Sequence, residues 1–165
     1  MTSFNELRST AHPVRLRILS LLTGNSMSQG EIARELDLST ANVGYHLSRL
    51  KTAGLLKITG TQTVRGGTST LYTYDLDAKE TKKYLKRSPM MWKIAAGELF
   101  RRANLFRNGT QLLADAEIWI DPDRWRALTS EMLKVTSKVH KAALPKGHPN
   151  AVKINMTIAM FEMKT

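Results

Sequence analysis

No cysteine occurs in the chain, which excludes a disulfide framework, a thiolate metal site and a thiol nucleophile together. Long apolar runs are missing too: no stretch approaches the roughly 18 residues that a membrane-spanning helix needs. The opening Met-Thr-Ser-Phe-Asn-Glu-Leu-Arg lacks the basic-then-apolar order of a secretory signal, so a cytoplasmic location is expected. There is no glycine-rich phosphate loop, no Gly-x-Ser-x-Gly elbow and no pair of carboxylates standing apart from helix termini. Nothing therefore points to an enzyme, and no cofactor is expected. Acidic residues are scarce, 14 against 25 Lys and Arg, for a formal net charge of +11. Such a balance favours a polyanionic partner, although a merely solvated surface would also produce it.

At 165 residues, 42% hydrophobic and 24% charged, the chain has the composition of a globular protein with one domain or two small units. Phe4, Leu7 and Ala11 suggest a first helix. Val14, Ile18, Leu21 and Leu22 suggest a second, with Pro13 in its first turn and Gly24 at its end. Ser28 with Glu31 forms a capping box for a third helix whose apolar stripe is Ile32, Ala33 and Leu36. Ser39 is the natural N-cap of a fourth, with Val43, Leu47 and Leu50 recurring at helical spacing and Gly54 closing it. The period then becomes strand-like over residues 55–59 and 70–75, and the polar stretch 60–69, containing Gly66-Gly67, is expected as the long tip of a hairpin. Helix, tight turn, helix and hairpin in this order make a winged helix-turn-helix.

The residues that carry a resemblance are Ala11-His12-Pro13-Val14-Arg15-Leu16-Arg17-Ile18-Leu19-Ser20-Leu21-Leu22, Ile32-Ala33-Arg34-Glu35-Leu36, the run from Leu38 to Leu50, and Ala53-Gly54-Leu55-Leu56. Together they resemble the ArsR family of bacterial repressors over nearly all of the first 75 residues. The resemblance implies a repressor on double-stranded operator DNA, located on the nucleoid when bound; a homodimer is expected, because the apolar stripes of the second half leave more surface than that half covers alone. The expected base-reading positions are Thr40, Ala41, Gly44 and Tyr45, with Ser39, Asn42 and Ser48 on the same helix. Ala41 and Gly44 depart from the polar residues usual there, which leaves Thr40 and Tyr45 to do the reading. Ser28 and Gln29, through backbone N–H groups, and Arg49 and Lys51, through charge, are expected at phosphates. Arg65 at the wing tip is expected at a neighbouring minor groove or phosphate. His46, beside Leu47, is either a phosphate contact or a packed residue.

Beyond the wing, residues 78–88 are lysine-rich and read as helical, and Trp92, Ala95, Ala96, Leu99, Phe100, Ala103 and Phe106 mark an amphipathic helix that Asn108-Gly109 closes. Residues 112–120 read as a strand. Asp121-Pro122 opens a helix with Trp125, Leu128, Met132, Val135 and Val139 on one side, and 152–163 alternates as a second strand. The expected fold is α+β: a winged helix-turn-helix over 1–76, then a connecting helix and a strand-helix-strand dimerisation unit over 77–165. Phe4, Leu7, Trp92, Leu99, Phe100, Trp125, Leu128, Met132 and Val139 are the expected dimer contacts. The methionines and tryptophans of the second half, with Phe161, form either this core and interface or a cavity for an unidentified apolar effector. The four histidines, His12, His46, His140 and His148, show no metal-ligand spacing, so no metal site is expected. A general nucleic-acid binder using residues 79–107 and an enzymatic second half remain open as alternatives.

Overall fold

The computed structural model describes residues 12–76, 78, 89–107, 109–144 and 146–163. The helix expected around Phe4, Leu7 and Ala11, and the lysine-rich one over 79–88, lie outside the described residues. Among the described residues, five helices and a small sheet follow in the order α1 (Pro13–Leu22), β1 (Met27–Ser28), α2 (Gln29–Leu36), α3 (Thr40–Thr52), β2 (Leu56–Val64), β3 (Gly67–Tyr74), α4 (Pro89–Ala103) and α5 (Pro122–Lys141).

Local chemistry sets the ends of the first three helices. His12 caps α1, its Nδ1 accepting the Val14 N–H at 3.1 Å, and Pro13 fits the first turn, where no N–H is needed. The capping box forms as expected: Ser28 Oγ accepts from the Glu31 N–H, and Glu31 Oε2 accepts from the Ser28 N–H at 2.7 Å. Asp37 ends α2 in the left-handed region at φ 54, and Ser39 Oγ then accepts the Asn42 N–H to start α3. The helices bury Ile18, Leu19, Leu22, Ile32, Ala33, Leu36, Val43, Leu47 and Leu50 in one core with Leu55. Tyr72 and Tyr74 of β3 close it from the sheet side, and Met91 of α4 packs on it beside α1.

The sheet runs β1-β3-β2, all antiparallel. The hairpin corrects the sequence reading. Its strands pair continuously to Val64↔Gly67, leaving only Arg65 and Gly66 as the turn, where a ten-residue polar tip was expected. A register shift between Ile58 and Gly60 makes a bulge at Thr59. The misreading has a physical reason. Thr, Gln and Ser alternate without an apolar face in a ribbon whose inner side is only half-buried, through polar residues such as Gln62, so pairing comes from backbone hydrogen bonds and leaves no hydrophobic period. The two-residue β1 was not expected; it exists because the turn after α1 lies along β3.

The α+β class and the winged helix-turn-helix stand, but the two strands expected in the second half do not form. Residues 112–120 and 152–163 are without strand pairing, and most of their apolar side chains are exposed, Leu112 and Trp119 at 93% and 90%. Alternation says which side of a segment is apolar. It does not supply the neighbouring strand that completes its hydrogen bonds. The helix between them does form, capped by Asp121 Oδ1 accepting from the N–H groups of Asp123 and Arg124, yet none of its residues is buried. Its end rests on the turn after α1, where a Cβ on Gly24 would come within 2.5 Å of Ala143 Cβ, and Lys146 pairs with Glu35 of α2. The connecting helix α4 ends at Ala103, three residues before the expected Phe106. In it Glu98 is buried against Arg101 at 2.8 Å and Arg102 at 3.7 Å.

Candidate nucleic-acid interface

α3 has two distinct faces. Val43, His46, Leu47 and Leu50 are buried, while Thr40, Ala41, Asn42, Tyr45, Ser48, Arg49 and Lys51 are exposed, as is the capping residue Ser39. A helix held by one face and bare on the other is what entry into a major groove requires. Tyr45 is 55% exposed, with the Arg49 guanidinium 5.4 Å from its ring centroid. That cation–π contact restrains an exposed side chain. Arg65 stands exposed at the two-residue wing turn. Ser48 and Lys51 join Gln29, Gly44, Leu47 and Tyr72 around an open cavity of about 220 Å³ between α3, the start of α2 and β3.

Ser28 departs from its expected contact, and His46 takes the packed one of its two expected places. His46 is 5% exposed and belongs to the packed interior: its Nδ1 lies 3.4 Å from Arg15 Nη1, and its ring is 4.6 Å from that of His12 and 5.1 Å from Tyr45. Burial, followed by the charge of Arg15, lowers the His12 pKa, and burial, then His12, then Arg15, lower that of His46. Ser28 is 3% exposed and its N–H is committed to Glu31, so it offers no phosphate site. The Ser28 hydroxyl and N–H, as donors, hold the Glu31 carboxyl below its usual range. Gln29 turns its side chain toward α3, where Nε2 donates to the Thr40 carbonyl at 2.8 Å.

The sequence reading missed the supports beneath this face. Arg15 and His12 underlie α3 from α1, and Gln62 of the wing donates to Glu31 Oε2 at 3.3 Å, joining β2 to α2. His12 carried one local signal, its place directly before Pro13. Arg15 and Gln62, each 31 residues from its partner, carried none.

Of the expected dimer contacts, Trp92, Leu99, Phe100, Leu128 and Met132 are exposed, while Trp125 and Val139 are half-buried. Phe4 and Leu7 lie outside the described residues. Trp92 packs on Phe161 with ring centroids 5.2 Å apart. Among the described residues no three His, Asp or Glu gather as metal ligands, and no helix is long and apolar enough to cross a membrane.

Residues 10–59 match a family described as a helix-turn-helix domain. Transcriptional repressor SdpR of Bacillus subtilis (strain 168) is 35% identical over 52 residues, which are 32% of this chain and 58% of that protein. The chain thus spans little more than half the length of this curated relative. Reduced HlyU from Vibrio cholerae N16961 is 27% identical, covering 59% of this chain and 82% of its own, with a TM-score of 0.35. The transcriptional repressor BigR from Xylella fastidiosa is 20% identical over 63% of this chain and 87% of its own, with a TM-score of 0.40.

Proposed function

We propose that this chain, which belongs through residues 10–59 to the helix-turn-helix regulators of the ArsR kind, represses transcription by holding operator DNA as a homodimer. The observation that carries the reading is the division of α3, apolar residues inward and Thr40, Ala41, Tyr45 and Ser48 outward, with Arg49, Lys51 and the wing residue Arg65 beside them. Tyr45 and Thr40 read base edges, and Ala41 is small enough to meet a thymine methyl. Arg49, Lys51 and Arg65 hold phosphates and set the register without choosing sequence. Two copies related by a two-fold axis place their α3 helices in successive major grooves, about 34–36 Å apart. Repression follows by occlusion, since a dimer across a promoter excludes polymerase, and the protein acts by binding and not by catalysis. The similarity to a repressor over the helix-turn-helix supports this direction of control.

The test is selection of duplexes from a random-sequence library by the full chain, then titration of the enriched duplex and a shuffled one at matched salt. A regulator of this kind discriminates by roughly 1,000-fold or more. A ratio near one would leave a general binder of nucleic acid, drawing on the net charge alone.

A further inference from the structure

Gly44 sits in the interior of α3, where only proline would form helix less well. No special backbone conformation calls for it, because it is not among the residues with positive φ. Its surroundings supply the reason. A Cβ at this position would lie 2.7 Å from Gln29 Nε2, 3.4 Å from Gln29 Cδ and 3.6 Å from Gln29 Oε1. The Gln29 carboxamide therefore occupies, Nε2 foremost, the space a side chain at 44 would take, and from there Nε2 donates to the Thr40 carbonyl at 2.8 Å. Gln29 is the first residue of α2 and Thr40 the first of α3. One side chain thus joins the starts of both helices, and the missing side chain at 44 is the space it occupies. Among the described residues no other glycine inside a helix has a neighbour this close.

From this geometry we infer that Gln29 and Gly44 form a clamp that fixes the angle of α3 for the DNA. Gln29 is a positioning residue and Gly44 its seat, and neither reads a base. The role rests on the operator-binding reading above, and it separates these two residues from Thr40 and Tyr45, which meet the bases themselves. The atom in the way of an added methyl is the far end of a flexible side chain. Gly44→Ala therefore leaves the fold intact, pushes the carboxamide aside and breaks its bond to Thr40.

The experiment compares full-length wild type, Gln29→Ala, Gly44→Ala and the double variant on three readouts. These are affinity for the duplex enriched by the wild type, urea midpoint, and exchange of the backbone amides at positions 43 and 44, each corrected by the peptide rate for its own sequence. Each single variant should weaken binding by about 3- to 10-fold, the loss of one hydrogen bond, while the double variant binds no more weakly than Gln29→Ala alone. The midpoint of Gly44→Ala should equal or exceed that of wild type, since alanine favours the helix. Exchange in the first turns of α3 should quicken in every variant. Three results would overturn the clamp: a further full loss on adding Gly44→Ala to Gln29→Ala, which would put the new methyl against DNA; a lowered midpoint, which would make position 44 a requirement of folding; or unchanged exchange. If the wild type enriches no duplex, the operator reading fails, and amide exchange still decides whether the clamp exists.

Discussion

The imidazole rings of His12 and His46 lie 4.6 Å apart, tilted by 39°, with the buried Arg15 at the second ring. Both histidines work here as neutral groups. His12 Nδ1 accepts the cap bond from Val14, and His46 Nδ1 faces a guanidinium donor, so a proton on either nitrogen removes an acceptor and adds a cation beside Arg15.

Both pKa values are lowered from 6.5 in the folded chain. Below that value the unfolded chain binds more protons than the folded one, so stability is full above about pH 6.5 and falls as pH drops through the folded values. The half-buried His140 of α5 adds in the same direction. Glu31, lowered from 4.5, contributes only in more acid solution, where its stabilisation is lost. The variant His12→Asn with His46→Gln keeps a capping side chain and removes two titrating rings. Urea unfolding between about pH 7.5 and 5 should show a shallower pH dependence for it than for wild type. Identical slopes would mean that the pair does not titrate with folding.

Tyr45 and Arg65 should fail in different ways when replaced by alanine. Tyr45→Ala should cost about 1 to 3 kcal/mol on the enriched duplex and little on shuffled DNA. Arg65→Ala should weaken both alike and reduce the salt slope by about one. Titrations at several salt concentrations separate the two patterns, and equal losses for Tyr45→Ala on both DNAs would remove it from the reading face.

Leu50 is fully buried where α3 meets the rest of the core. Leu50→Ala should lower the unfolding free energy by about 2–5 kcal/mol, a lost side chain plus the cavity left behind. Ser28→Ala, which removes the cap of α2 while Glu31 stays, should cost about 1 kcal/mol. Urea unfolding measures both; a loss for Leu50→Ala below that for Ser28→Ala would contradict the assigned core.

The outward apolar side of α5 is the place to look for the two-fold contact. Leu128→Glu with Met132→Glu, both at exposed positions, should shift the full chain from dimer to monomer in light scattering. Affinity for the enriched duplex should then drop by roughly 100-fold, because joining two half-site readers raises avidity by about that much. A wild-type chain that scatters as a monomer at about tens of micromolar would end the dimer proposal, since the exposed apolar surface calls for cover.

What was legible in the sequence was what short spacing determines. Ser28 with Glu31, Ser39, and Asp121 with Pro122 announced three helix starts from signals that each lie within a few residues, and the inward side of α3 followed from Val43, Leu47 and Leu50. Position 46 was ambiguous because the partners that bury it, His12 and Arg15, come from the first helix and the residue before it. Gly44 read as a weak base-reading position because its neighbour Gln29 belongs to the preceding helix. The wing's length was hidden because its pairing is made by backbone groups common to every residue. The strands expected at 112–120 and 152–163 show the opposite error, a side-chain pattern with no partner strand among the described residues.

The capping box has a consequence for how the protein grips a charged duplex. With Glu31 Oε2 on the Ser28 N–H and hydroxyl, α2 carries its own anion at the end where its dipole would draw one from DNA. A phosphate arriving there meets a carboxylate already seated, and no condensed ion leaves the duplex on that account. On the proposed reading, counterion release, and with it the steep response of affinity to ionic strength, would then rest on Arg49, Lys51 and Arg65. This helix start adds to the shape of the interface without adding to its electrostatic pull, so salt should tune the hold of α3 and the wing while leaving α2 indifferent.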